Sequence, residues 1–332
     1  MKDHAENISV TTLSDEWRSW LLDNLVMGAP APVVADTLVQ RGVPQSIVDA
    51  ELARFTEPTV LSYIQEERRK HAHASQILAL QRAHLDRLSG QIPVHDWPSA
   101  SMFFESFYAL NRPAIFRDVV QEWGVSDWTM DGLRARYGHV EITACVNRSA
   151  SVQPDRDYAK HQTQLGLGHF IDRVQRSGHS NDLYLIANNH VLRDTKLSVL
   201  LDDVILDEAI FDPQRLSGSC SLWIGPAGTR TPLHHDVSNI LLGQVEGSKR
   251  ITLIPPQYAD AFEWDGFYAQ PAHPPFDRVP TLQTDLTAGD ALFLPAGWLH
   301  HVEAMSPSVS FSLLCFRQPN SFPWFRPGDV ST

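Results

Sequence analysis

The chain has 332 residues, 43% of them hydrophobic, and a formal net charge of -12, which is long enough for one large domain with an appendage or for two domains. The acidic charge disfavours a general nucleic-acid surface, and three widely spaced cysteines fit neither a disulfide framework nor a thiolate metal site. No apolar stretch approaches the roughly 20 residues that span a bilayer. The polar residues 1–7 lack the apolar core of a signal peptide, so we expect a cytoplasmic protein.

Helical periodicity dominates the first part of the chain. Four helices are predicted, over residues 14–28, 32–42, 44–55 and 58–90, each bounded by Gly or Pro. The histidines at positions 71, 73 and 84 lack a carboxylate or cysteine at ligand spacing, so we interpret them as exposed helix residues. We therefore predict a separable N-terminal helical module over residues 1–90 and a second domain over residues 91–332.

After Trp97 the pattern changes to aromatic clusters and short strands. Helices are predicted near residues 103–110 and 133–137, and strands over residues 114–117 and 140–146. The polar segment 147–178 predicts long surface loops with one helix over residues 170–174, and such loops can shape a substrate entrance. Further strands are predicted over residues 183–186, 221–224, 240–245, 249–254, 291–294 and 309–315. This spacing indicates a mainly β domain with added helices, folded as a sandwich or barrel.

Two short runs carry residues that can close a metal site: Thr-Pro-Leu-His-His-Asp at 231–236 and Trp-Leu-His-His-Val at 298–302. Side chains two positions apart on an extended segment share a face, so His234 and Asp236 point the same way. One more histidine completes a two-His, one-carboxylate triad, which suits non-haem Fe(II) because the opposite coordination positions stay open. A lone strand histidine is more often structural, and only the three together favour a metal. Composition alone does not say whether His300 or His301 is the third ligand.

Several segments in order resemble the JmjC-type, cupin-like branch of the 2-oxoglutarate-dependent oxygenases, and are similar to the asparaginyl hydroxylase of hypoxia-inducible factor. They are residues 223–236, 244–250, 253–256, 288–295 and 297–300. The resemblance covers about residues 97–316 and leaves the helical module outside. It implies a double-stranded β-helix, a jelly-roll barrel whose mouth binds Fe(II) through His234, Asp236 and His300, with 2-oxoglutarate and O2 as cosubstrates. The family's Gly-Trp-x-His-x-Val arrangement is what selects His300.

The resemblance also implies how the far carboxylate of 2-oxoglutarate is anchored. Lys249 matches the family's lysine, and Thr231 and Tyr184 match positions that donate hydrogen bonds to that carboxylate. Strand alternation agrees, because it points Lys249 inward and Arg250 outward. Asn239 resembles a family asparagine that binds near the cosubstrate, but it stands one position nearer the aspartate, which leaves the direction of its side chain open.

These features predict an Fe(II)- and 2-oxoglutarate-dependent dioxygenase that hydroxylates an amino-acid side chain and releases succinate and CO2. A peptide or protein substrate is favoured, while a free amino acid, a tRNA or a demethylation reaction remains an alternative. The rival from another class is a non-catalytic cupin-like binding protein whose helical module binds a protein partner. No membrane partner is expected, and the sequence leaves the oligomeric state open.

Overall fold

The computed structural model describes residues 12–26, 28–56, 58–85, 90–186, 189–271 and 274–322. Its α-helices are α1 (Asp15–Val26), α2 (Ala31–Gln40), α3 (Gln45–Phe55), α4 (Pro58–Leu85), α5 (Ala100–Met102), α6 (Met130–Tyr137), α7 (Tyr158–His161), α8 (Leu167–Arg176) and α9 (Val191–Asp194). A π-helix spans Phe103–Tyr108, and 3-10 turns span Val120–Trp123, Arg148–Ala150, Lys196–Asp203, Pro213–Gly218, Pro256–Ala261 and Phe276–Arg278.

The strands are β1 (Val94–His95), β2 (Ala114–Phe116), β3 (Glu141–Cys145), β4 (Gln162–Gly166), β5 (Cys220–Gly225), β6 (Arg230–His234), β7 (Ile240–Glu246), β8 (Ser248–Ile254), β9 (Glu263–Asp265), β10 (Tyr268–Gln270), β11 (Leu282–Thr287), β12 (Ala291–Leu294), β13 (Leu299–Ala304) and β14 (Ser308–Leu313). The chain divides into two compact units, Met1–His84 and Leu85–Thr332. Among the described residues, no helix is both long and apolar enough to cross a membrane.

The first unit is helical and has its own small core. The buried side chains of Leu21, Leu38 and Val48 bring the apolar faces of α1, α2 and α3 together. The Ser14 hydroxyl accepts the backbone N–H of Trp17 at 3.3 Å, which caps the start of α1 as its position predicts. The four predicted helices are therefore confirmed, and the histidines at 71, 73 and 84 are exposed. The predicted end of the fourth helix at position 89 lies outside the described residues.

The second unit contains two six-stranded sheets. Their strand orders are β1-β2-β12-β7-β14-β5 and β11-β8-β13-β6-β10-β9. Consecutive strands from β5 to β8, and again from β11 to β14, alternate between the two sheets. This alternation produces the double-stranded β-helix, or jelly roll, that the sequence predicts.

Apolar side chains fill both sides of the first sheet. Leu292 and Leu294 of β12 pack with Ile251 of β8 in a cluster that joins the two sheets. Phe293, between them, points the other way into an aromatic core, where its ring meets that of Phe103 at 5.1 Å. Period-two alternation along β12 thus supplies both clusters.

The prediction of surface loops over residues 147–178 was wrong in part. Strand β4 pairs with β3 along its whole length, from Cys145–Gln162 to Glu141–Gly166. Helix α8 is longer than predicted and buries Phe170 and Ile171. The first three residues of β4 are exposed, so its composition is polar and does not show the alternation of a strand. Strands β9, β10 and β11 were also missed.

Candidate metal centre

Two neighbouring antiparallel strands position the candidate ligands. His234 ends β6 and His300 lies near the start of β13, and their Cα atoms are directly paired across the ladder. Their ring centroids are 4.0 Å apart. Asp236 follows β6, with Oδ2 3.5 Å from Nε2 of His300. One potential ligand atom from each of these three residues lies within 4.8 Å of the others, which is compatible with a single metal ion.

Hydrogen bonds fix the orientation of both imidazoles. Nδ1 of His234 lies 2.8 Å from the carbonyl oxygen of Pro232, and Nδ1 of His300 lies 3.0 Å from that of Trp298. A carbonyl oxygen only accepts, so each Nδ1 carries the proton and each Nε2 keeps its lone pair. Burial, followed by the nearby His234, lowers the pKa of His300 to about 3, which keeps this imidazole neutral. Two neutral imidazole nitrogens and one carboxylate therefore form a donor set that fits Fe(II).

The neighbouring histidines face elsewhere. His235 packs edge-on against Trp264, with ring centroids 5.1 Å apart. His301 lies beside Phe276, with centroids 5.5 Å apart. Neither lines the cavity that His234 and His300 border. Strand alternation explains the difference at His301, which lies on the opposite face of β13 from His300, and His235 directly follows the end of β6.

The triad borders a cavity of about 370 Å³. Its polar lining residues, apart from the triad, are Asp155, Tyr158, Ser221, Thr231, Lys249, Tyr268 and Ser312. Its apolar and aromatic lining residues are Ile186, Trp223, Ile240, Leu242, Ile251, Leu292, Leu294, Val302 and Leu314. This combination of an apolar wall and a few converging polar groups is typical of a small-ligand site.

Lys249 is a buried cation that faces this cavity from β8. Its side chain is only 2% exposed, and within the described part of the chain its ammonium group has no ion pair or hydrogen bond. The rings of Tyr184 and Trp223 lie 5.8 Å from Nζ. Burial lowers the pKa of Lys249 to about 7, because the charged form lacks solvation there. A carboxylate ligand would supply the missing partner, so this side chain fits one end of 2-oxoglutarate.

The other predicted cosubstrate-binding residues differ in position. Thr231 lines the cavity, and Tyr184 lies buried behind it. Burial raises the pKa of Tyr184 to about 12, opposed by its hydrogen bond with Thr231. The structure does not bring Asn239 to the cavity. Its Oδ1 instead accepts the backbone N–H of Ala296 at 2.8 Å, so its side chain connects the segment after β6 to the segment before β13.

Three residues near the site have no counterpart in the sequence predictions: Arg148, Asp155 and Tyr268. The guanidinium of Arg148 is fully buried, and its Nη1 lies 2.6 Å from Oδ1 of Asp155. Tyr268 pairs with His234 across β10 and β6, and the two rings stack at 5.6 Å. Burial, followed by the charges of Asp155 and Asp236, raises the pKa of Tyr268 to about 12, which keeps its hydroxyl protonated. No motif marks these residues, and the contacts of Arg148 with Arg230 and of Tyr268 with His234 join separate parts of the chain.

Known proteins share this domain. The model of the cupin-like domain family matches residues 100–314. Jumonji C domain-containing protein 5 of Drosophila melanogaster is 27% identical over 244 residues, covering 67% of this chain and 59% of that protein. The bifunctional peptidase and (3S)-lysyl hydroxylase JMJD7 of Homo sapiens is 25% identical over 256 residues, covering 64% of this chain and 80% of that protein. The tRNA wybutosine-synthesizing protein 5 of Gallus gallus is 25% identical over 237 residues, covering 64% of this chain and 73% of that protein. The chain spans about half the length of several other curated relatives.

Proposed function

The chain belongs to the cupin-like domain family of JmjC-type proteins, and from that premise we propose that it is an Fe(II)- and 2-oxoglutarate-dependent oxygenase that hydroxylates an amino-acid side chain in a peptide or protein. One observation carries the proposal. A two-His, one-carboxylate face and a buried lysine without an anionic partner among the described residues border the same cavity. A structural metal site would not need the lysine, and a binding protein without oxygen chemistry would not need the open metal face.

Residues at one end of the cavity would bind the metal, and residues at the other end would bind the cosubstrate. Nε2 of His234, Nε2 of His300 and a carboxylate oxygen of Asp236 would hold the metal, and the hydrogen bonds at both Nδ1 atoms keep those nitrogens aimed at it. When bound, Fe(II) supplies the activation of O2 that couples oxidation of a C–H bond to decarboxylation of 2-oxoglutarate.

At the other end, Lys249 would pair with the far carboxylate of 2-oxoglutarate. The Thr231 hydroxyl is hydrogen-bonded to the buried Tyr184 and lines the cavity, where it can donate a second hydrogen bond to that carboxylate. The apolar side chains of Ile251 and Leu294 exclude water from the space between. These residues thus fix the cosubstrate's direction before any substrate enters.

A peptide or protein substrate is supported by the name of one relative, a lysyl hydroxylase, of which the match covers 80%. Another relative is named for wybutosine synthesis in tRNA, but a net charge of -12 is unfavourable for binding RNA. Demethylation is the reaction in the name of a third group of relatives. Hydroxylation and demethylation use the same metal face, and only the product separates them.

We further propose that residues 1–90 form a module that captures the substrate. Their helices have a core of their own, and no residue of the candidate metal centre lies among them. A protein starting near residue 91 should retain 2-oxoglutarate turnover in the absence of substrate and should bind its substrate more weakly. Loss of metal binding in a folded truncated protein would contradict this role.

The proposed activity is tested by succinate release. Protein loaded with Fe(II) under anaerobic conditions and then given 2-oxoglutarate and O2 should form succinate, whereas a binding protein should form none. A peptide library analysed by mass spectrometry then separates the reactions: hydroxylation adds one oxygen atom, and demethylation removes a methyl group. Absence of succinate from metal-loaded, folded protein would overturn the proposal.

A further inference from the structure

The amine of Lys249 lies in the cavity wall without a group that would stabilise a charge on it. It lines the same cavity as the triad, and its side chain is 2% exposed. Burial lowers the pKa of Lys249 to about 7, and no charge or hydrogen bond from the described residues opposes that fall. In the ligand-free protein the amine is therefore neutral in most molecules at pH values above about 7.

The aromatic neighbours of Lys249 do not replace the missing partner. The ring centroids of Tyr184 and Trp223 each lie 5.8 Å from Nζ, which is close to the limit at which an aromatic face attracts a cation. The Tyr184 hydroxyl is hydrogen-bonded to Thr231, and burial raises the pKa of Tyr184 to about 12, so this hydroxyl carries no negative charge.

The strands on either side of β8 place apolar residues beside Lys249. Its Cα pairs with that of Leu286 on β11 and with that of Ala304 on β13. An acidic residue of each strand points outward and pairs there with an arginine: Asp285 with Arg250, and Glu303 with Arg230. These carboxylates therefore do not compensate a charge on the buried amine.

The other titratable groups that line the cavity have partners or stay neutral. The triad is assigned to the metal, and Asp155 is paired with Arg148. Burial raises the pKa of the Tyr158 hydroxyl, and it raises that of Tyr268 to about 12. A counter-charge for Lys249 must therefore come with a ligand.

The far carboxylate of 2-oxoglutarate is ionised at neutral pH, and beside a neutral amine it would be buried without a counter-charge. We propose that 2-oxoglutarate enters this site together with one proton, taken from solution by the amine of Lys249, so that pH above neutrality governs cosubstrate affinity. Only an N–H bond forms in this step. Succinate keeps the far carboxylate, so the proton returns to solution when succinate leaves. This inference rests on the proposed function, which makes that carboxylate the partner of Lys249.

Calorimetry counts the proton directly. 2-Oxoglutarate is titrated into the full-length protein, loaded anaerobically with Fe(II), in buffers of different ionisation enthalpy. The slope of the observed binding enthalpy against the buffer enthalpy gives the number of protons bound. We expect about half a proton per ligand near pH 7 and about one near pH 8.5. The affinity should fall by about tenfold for each pH unit above about pH 7.5, because a smaller fraction of the amine is charged.

A matched ligand and a matched variant separate Lys249 from the metal. 2-Oxopentanoate has a methyl group in place of the far carboxylate, so it should bind with little or no proton uptake, whereas uptake caused by loss of metal-bound water would occur with both ligands. Lys249→Arg carries a charge that does not titrate in this range, so its uptake should vanish and its affinity should stay level with pH. Arg250→Met, on the outer face of β8, should behave as wild-type protein.

The proposal is overturned if wild-type protein binds 2-oxoglutarate without proton uptake, or if uptake is the same with 2-oxopentanoate or in Lys249→Arg. The two ligands decide the matter with wild-type protein alone if Lys249→Arg fails to fold, and the variant decides it if 2-oxopentanoate binds too weakly to measure. Failure of the proposed function is distinct, since 2-oxoglutarate would then not bind at any pH, and this inference would fall with it.

Discussion

Two buried cations, one lining the cavity and one paired with a residue that lines it, have opposite surroundings. Arg148, in the segment before α7, has an acidic partner and two backbone acceptors. Lys249, on β8, has no ion pair or hydrogen bond within the described ranges. A cation that is fully paired within the chain contributes to the fold, whereas a buried cation without a partner is a cost that a ligand can remove. Arg148 is therefore a structural charge beside the cavity, and Lys249 is a ligand-binding charge in its wall.

Breaking the paired cation should have the larger effect on folding. Arg148→Met leaves Asp155 as a buried, uncompensated charge, so we expect a loss of about 3–5 kcal/mol in the free energy of unfolding. Denaturant unfolding measures this change. Arg156→Met is the control on the same segment, because Arg156 pairs with Asp265 at the surface and its loss should have little effect. Equal stability of the two variants would show that the buried pair does not support the fold.

Removing the unpaired cation should affect the ligand instead. Lys249→Met leaves the far carboxylate of 2-oxoglutarate buried without a counter-charge, and we expect binding to weaken by about 3–5 kcal/mol, a hundredfold or more. The fold without ligand should not lose stability, since an unsolvated amine is replaced by an apolar chain. Calorimetry with a divalent metal present measures the affinity. Arg250→Met is the control, because Arg250 points outward to Asp285 at 2.8 Å. Unchanged affinity in Lys249→Met would remove this lysine from the site.

The pH dependence of stability sharpens the contrast further. Burial lowers the pKa of Lys249 from 10.5 to about 7, so between these values the unfolded chain binds a proton that the folded chain does not. This group therefore makes the ligand-free protein more stable as pH rises from about 7 towards 10.5, and its contribution is constant below and above that window. We expect the effect as a difference between wild-type protein and Lys249→Met in denaturant unfolding. Parallel pH profiles of the two proteins would contradict it.

Several site residues on strands could be predicted from the sequence, and several of those outside strands could not. His234, His300 and Lys249 lie on strands, where alternation determines the direction of a side chain and the motif order supplies the register. Asn239 lies outside a strand, so its one-position shift could not be interpreted, and its side chain binds backbone instead. Arg148 contacts Arg230, 82 positions away, from a segment of polar composition. Such long-range contacts carry no local periodicity, and for this reason Arg148 was missed. Asp155 lies seven positions further on, in the same polar segment and outside any helix or strand.

The elements of the fold also differ in how well the sequence predicts them. Helices α1 to α4 and the barrel strands β5, β7, β8, β12 and β14 were predicted because each repeats its apolar residues at its own period. Strands β9 and β10 have three residues each, which is too short for a period to be visible. The site depends on β10 nevertheless, since Tyr268 pairs with His234 from there.

The central claim is that His234, Asp236 and His300 hold iron for oxygen chemistry while the adjacent histidines do not. Iron stoichiometry and 2-oxoglutarate-dependent succinate formation, measured together for His300→Ala and His301→Ala, test it most directly. We predict that His300→Ala abolishes iron-dependent succinate formation, because two protein ligands are left, and that His301→Ala folds, binds iron and keeps most of the activity. Loss of iron from His301→Ala together with its retention in His300→Ala would contradict the account.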